Sequence, residues 1–95
     1  NEIRIGSDCA ISWECQIMDT DFHEVIENRN KVTENSSVII GNHVLVCSKV
    51  TILKGVVIGD NAVIAAGSVV TKDVPAGCIA AGSPARVVRK NINWK

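Results

Sequence analysis

The fold class predicted for this 95-residue chain is an all-β coil, in which short straight segments alternate with turns and like residues stack. Three observations predict it. An aliphatic residue returns at every sixth position: Ile40, Val46, Ile52, Ile58, Ile64, Val70. Four places after each stands a small or branched residue: Val44, Val50, Val56, Ala62, Ser68, Val74. Turns are marked by Gly6, Gly41-Asn42, Gly59-Asp60-Asn61 and Gly67, residue types that accept the positive φ of tight corners. A period of six fits neither a helix, at about 3.6, nor a plain strand, at about two. It fits a repeated unit that buries its inward residues against the next copy. The general rule for parallel crossovers adds a right-handed turn to that expectation.

Taken in order, residues 3–17 are hexads, with Ile5, Ile11 and Ile17 followed at four places by Cys9, Cys15 and, off pattern, Asp21. Cys9 and Cys15 hold the repeat position of Val44 and Val50, so they are expected to be small inward-facing residues. Residues 18–37 break the rhythm and are mostly polar. Ile17 to Ile40 is 23 positions, one short of four hexads, so the break is an inserted loop or a distorted rung. A polar interruption in a regular scaffold usually carries function. Residues 38–75 restore the repeat. After Asp73-Val74-Pro75 the run Ala80–Ala85 reads as a last turn with a proline stop. Arg86-Val87-Val88-Arg89-Lys90 and Asn91-Ile92-Asn93-Trp94 then form a basic tail, a short strand or helix over 80–95 that closes the open end.

Length allows one domain, 1–95. The chain opens inside the repeat without an initiator Met, which reads as a domain lacking N-terminal rungs. Ten basic and ten acidic residues balance, which argues against a nucleic-acid partner, since phosphate neutralisation needs a cationic excess. No apolar run approaches the roughly 18 residues of a membrane span, so no membrane partner is expected. The four cysteines show no CxxC spacing, and free thiols suit a reducing, cytoplasmic compartment.

The string Ile-Gly-Asp-Asn-Ala-Val-Ile-Ala-Ala-Gly-Ser-Val-Val-Thr-Lys-Asp-Val-Pro (58–75), followed by Ala-Gly-Ser-Pro-Ala-Arg-Val-Val (81–88), closely resembles the hexapeptide-repeat acyltransferases. The nearest branch is similar to the maltose, galactoside and polysaccharide O-acetyltransferases. The resemblance implies a left-handed parallel β-helix, triangular in section, with three hexads per coil, and so replaces the right-handed expectation. On that count residues 40–75 make two complete coils and residues 5–17 part of a third. It also implies a homotrimer using acetyl-coenzyme A, each site lying between two chains. A short solenoid gains by burying a face in such an oligomer.

Acetyl transfer to a hydroxyl needs a base for the hydroxyl proton, donors for the developing oxyanion and an anchor for the coenzyme. Histidine is the natural base near neutral pH, and the chain holds two, His23 and His43. The resemblance places the catalytic histidine at His23, with Asp19 or Asp21 able to orient its ring. Those carboxylates equally suit solvent, and a backbone carbonyl could orient the ring instead. His43, beside Gly41-Asn42, reads as a surface corner. By the same resemblance Ser48 and the main chain at Ala66 and Gly67 line the pantetheine channel, Thr71 and Lys72 lie nearer the nucleotide, and Arg86 and Arg89 meet phosphate. Lys90 and Lys95 read as ordinary exposed side chains. Two histidines do not make the three-histidine zinc site of carbonic anhydrases that share the coil, so no metal is expected.

The chain departs from the branch at Leu45, where a Trp usually walls the cleft, and at Cys47, often Gly. Trp13, at a corner with Glu14, either stacks on a sugar ring or packs at a subunit interface, the interface being favoured. The function implied is an acetyl-CoA-dependent O-acetyltransferase of a carbohydrate hydroxyl, by direct transfer. The alternatives are a sugar-nucleotide N-acetyltransferase and a non-catalytic trimerisation or binding module.

Overall fold

The computed structural model describes residues 2–18, 26–27, 30–31 and 37–95. Strands β1 (Ile3–Ile5), β2 (Ala10–Ile11) and β3 (Gln16–Ile17) form a first coil. Next come β4 (Ile26–Glu27) and β5 (Asn30–Lys31), which pair antiparallel. Strands β6 (Val38–Ile40), β7 (Leu45–Val46) and β8 (Thr51–Ile52) make the second coil. Strands β9 (Val57–Ile58), β10 (Val63–Ile64) and β11 (Val69–Val70) make the third. A fourth begins at Val74 and continues in β12 (Ile79–Gly82), against which β13 (Ala85–Arg89) turns back antiparallel. Ala85–Arg89 is thus a strand rather than a helix, and residues 80–82, expected in a last turn, belong instead to β12 of the coil, because Ala80 is buried as an inward rung residue. No helix occurs among the described residues.

Stacking produces three flat faces of parallel strands: β1-β6-β9 on the first, β2-β7-β10-β12 with β13 at its edge on the second, and β3-β8-β11 on the third. Partners in the second and third coils, such as Ile39↔Val57, Leu45↔Val63 and Thr51↔Val69, lie 18 residues apart, three hexads. The first coil is a complete set of three strands rather than a partial one. It pairs with the second at a separation of 35, as in Ile5↔Ile40 and Ile17↔Ile52, which is 17 residues beyond one coil. The last coil is short: Ile58↔Val74 and Val63↔Ile79 are 16 apart.

The coil is a left-handed parallel β-helix, not the right-handed one that the crossover rule favours. That rule rests on strand twist, and strands of two or three residues accumulate little of it. Its interior is aliphatic: Ile40, Val44, Val46, Val50, Ile52, Val56, Ile58, Ile64 and Val70 are buried, as the hexad spacing requires. Cys9 and Cys15 pack against this core and their thiols donate to the carbonyls of Gly41 and Cys47 at 3.1 Å. A thiol there fills a methyl-sized site and bonds the coil above.

The corners correct one expectation. At the first corner, between first and second faces, the positive φ falls on Asp8, His43, Asn61 and Gly77, and at the second on Glu14, Lys49 and Gly67. Gly6, Gly41 and Gly59 are not in the left-handed region; they are required by crowding. A Cβ on Gly6 would strike the Oδ1 of Asn42, and one on Gly41 the Oδ1 of Asp60. Those oxygens cannot move aside cheaply, because each accepts a backbone N–H: Ser7 N to Asn42 Oδ1 at 2.9 Å, Asn42 N to Asp60 Oδ1 at 2.7 Å.

Candidate functional site

The registers align the second corner into columns. Trp13, Ser48 and Ala66 stack in one, Glu14, Lys49 and Gly67 in the next. Lys49 N donates to Trp13 O at 3.1 Å and Gly67 N to Ser48 O at 3.0 Å, so each corner hangs from its neighbour. Ser48 is half-buried, while Ala66 and Gly67 are exposed. A Cβ on Gly67 would meet nothing within 4 Å, so this glycine answers to its φ of +74° and leaves open space at the edge. The structure therefore brings together Ser48, Ala66 and Gly67. Small side chains leave the backbone of this edge approachable, which is what an extended, amide-bearing ligand needs.

Thr71 and Lys72 follow β11 and are exposed. They stand across the third face from Gly67, four residues on, or roughly 13 Å along a strand. Their neighbour Asp73 is occupied with the fold, its Oδ1 accepting Val57 N at 2.8 Å. The insertion after Ile17 departs from this same third edge, two coils earlier, because β3 also lies on the third face. The edge of Ser48 and Gly67 and the edge of Thr71, Lys72 and Met18 thus flank one face. Its outward positions are Gln16, Thr51 and Val69, since Ile17, Ile52 and Val70 point inward. His23, Asp19 and Asp21 lie outside the described residues.

The arginines sit on β13. Arg86 pairs with Ala81 and Arg89 with Ile79, both of which share the outward side of the second face, because Ala80 between them is buried. Arg86 is near the second corner, where Gly82 N donates to the Oγ of buried Ser68 at 3.2 Å. Arg89 stands at the other end of β13, toward the first corner, so the two arginines are not side by side. Lys72, Arg86 and Arg89 are exposed, and no carboxylate pairs with them among the described residues. Leu45 is half-buried on the outward side of the second face between Ala10 and Val63. Trp13 is 69% exposed. All four cysteines are free thiols.

One arrangement escaped the sequence reading. His43 does stand at a corner, half-buried, but its imidazole is partnered: it stacks on Trp94, centroids 3.9 Å apart and planes 7° from parallel. Its Nδ1 is 2.9 Å from Asn61 Oδ1, and Trp94 Nε1 donates to His43 O at 2.8 Å. The paired positive-φ column of His43 and Asn61 is visible as Asn-His and Asp-Asn turns 18 residues apart. A partner 51 residues away is not.

Residues 37–72 match the bacterial transferase hexapeptide family, described by six repeats. Over 94 residues the chain is 39% identical to a polysialic acid O-acetyltransferase of Escherichia coli O1:K1, covering 97% of this chain and 31% of that one. Among solved structures, the polySia-specific acetyltransferase NeuO overlays at a TM-score of 0.93 with 38% identity, covering 98% of this chain and 44% of that one. A galactoside acetyltransferase in complex with coenzyme A overlays at 0.77 with 37% identity, covering 94% and 45%. The chain spans less than half the length of each of these relatives.

Proposed function

We propose, from the premise that this chain belongs to the hexapeptide-repeat acyltransferases, that it serves an acetyl-CoA-dependent O-acetyltransferase acting on a carbohydrate hydroxyl. The observation that carries the reading is the third face. A small-residue edge at Ser48, Ala66 and Gly67 lies on one side of it, and on the other lie Thr71, Lys72 and Met18, the last described residue before the segment of sequence that contains His23. The pantetheine arm would follow the first edge, its amides meeting open backbone. Lys72 from one chain and Arg86 and Arg89 from the second face of a neighbouring chain would receive the phosphates, since all three cations are unpaired among the described residues.

In the proposed reaction His23 takes the proton of the acceptor hydroxyl while its oxygen attacks the thioester carbonyl. Asp19 or Asp21 holds the imidazole in the required tautomer. The carbon–sulfur bond breaks, the coenzyme leaves as thiol with the proton, and the sugar keeps the acetyl ester. No covalent acetyl-enzyme is needed. A homotrimer would place a neighbouring chain against the face and complete a site that one chain leaves open. The free thiols support a cytoplasmic setting.

Acetyl-CoA binding by calorimetry tests this, with Lys72→Ala and Arg86→Ala each expected to weaken binding about tenfold or more, as lost charge-assisted phosphate contacts do. His23→Ala should bind normally and transfer nothing to a saccharide. Absence of binding by well-folded protein would sink the enzyme reading and leave a structural module.

A further inference from the structure

We propose that Trp94 is a positioning residue for coenzyme phosphate: by clasping the tail onto the first corner it sets where Arg89 stands. The inference rests on the reading of Arg89 as a phosphate ligand and goes beyond it in assigning what holds that arginine in place.

Strand β13 is held on β12 along its first half, at Gly82↔Ala85, Ala81↔Arg86 and Ala80↔Val87, but less keeps its second half in register. Arg86, Val87, Val88 and Arg89 are all exposed, so no core packing anchors its second half. The pairing is also irregular there. Ile79 faces Arg89 and Ala80 faces Val87, which leaves Val88 as an extra residue in a bulge immediately before Arg89. A bulge re-aims the side chain next to it and weakens the local ladder. Left to strand pairing alone, the Arg89 end would fray.

Two contacts beyond Arg89 prevent this. Ile92 N donates to Gly77 O at 2.9 Å, returning the tail to the first corner of the last coil. Trp94 then reaches the second coil, stacking flat on His43 and donating its Nε1–H to the His43 carbonyl at 2.8 Å. The imidazole is itself held, because Nδ1 meets Asn61 Oδ1 at 2.9 Å and the His43 backbone sits at a φ of 54°. Arg89 is therefore fixed between a bulge on one side and a four-residue link to a rigid aromatic stack on the other. Releasing the stack would make coenzyme binding bear the cost of ordering that segment, which several residues' worth of backbone entropy makes appreciable.

The test is acetyl-CoA affinity of the intact protein in a double-mutant cycle. Trp94→Ala is expected to raise Kd about tenfold, and Arg89→Ala at least as much. The double variant should bind no more weakly than Arg89→Ala, because Trp94 acts through Arg89. Trp94→Phe keeps a ring on His43 without the N–H and should recover most of the affinity, to within about threefold of the parent. It also serves if the alanine variant does not fold. An unchanged Kd in both Trp94 variants beside a weakened Arg89→Ala would overturn the proposal and leave the coenzyme reading intact. Additive losses would overturn it too, making Trp94 a general prop of the fold. No binding by the parent protein would instead remove the coenzyme reading itself.

Discussion

The first coil and the two that follow carry the same residue at the same place and bury it differently. Ile5 stacks on Ile40 and Ile40 on Ile58, yet Ile5 is 46% exposed and Ile40 only 1%. Ile11 is 38% exposed, while Val46 and Ile64 above it are fully buried. Among the described residues each middle isoleucine has a coil on both sides, and Ile5 and Ile11 have one on one side. In a solenoid burial belongs to the neighbour relation, not to the residue, so stability is close to a sum of intrinsic and nearest-coil contributions.

The sharpest way to break this comparison is truncation in the two regions. Ile64→Ala should cost about 2–5 kcal/mol in chemical denaturation, by lost burial plus an unfilled cavity. Ile5→Ala should cost about 1 kcal/mol or less, since half the transfer term is already absent. Equal losses would show that the first coil is as tightly packed in solution as the middle ones. At the corners, Gly41→Ala should cost about 1–3 kcal/mol because its Cβ meets Asp60 and the backbone around it. Gly67→Ala, with space but a positive φ, should cost about 1–2 kcal/mol. Melting temperatures that rank these two the other way would discount crowding as the reason for Gly41.

The smallest effect is electrostatic and confined to the first coil. The Arg4 guanidinium, 2.9 Å from Glu2, holds that carboxyl below its ordinary value by hydrogen bond and charge. A carboxyl depressed in the folded state stabilises above its unfolded pKa, and loses that contribution as pH falls through the folded value. The pair is exposed, so the effect should be slight and vanish in high salt. Glu2→Gln should flatten the acid limb of the stability profile marginally; no change at low salt would show that the pair contributes nothing.

Much of the fold is legible because a hexad repeat states its own geometry. Ile40 through Val70 announce which residues face in, and the structure buries all six. The corner residues were harder to read. Turn glycines suggest positive φ, but in this chain Asp8, Glu14, His43 and Lys49 adopt it, while Gly6 and Gly41 exist to let coils approach. Local sequence does not separate those two needs; the distance to the next coil does. The candidate site divides similarly. Ser48 and Gly67 meet because the repeat fixes an 18-residue register, which the sequence displays. The clasp of Trp94 on His43 joins positions 51 apart through a tail that follows no repeat. Periodicity carries no information about it.

The way the chain ends its coil also bears on growth. Parallel coils with unpaired edges are templates on which further chains can add. Here the final rung is two residues short of the 18-residue register, and β13 reverses direction along β12 with two arginines on its outward side. A reversed strand offers the wrong polarity to any parallel coil arriving at the second face. Removing residues 83–95 should therefore leave β12 open to pairing with another chain, visible as concentration-dependent light scattering.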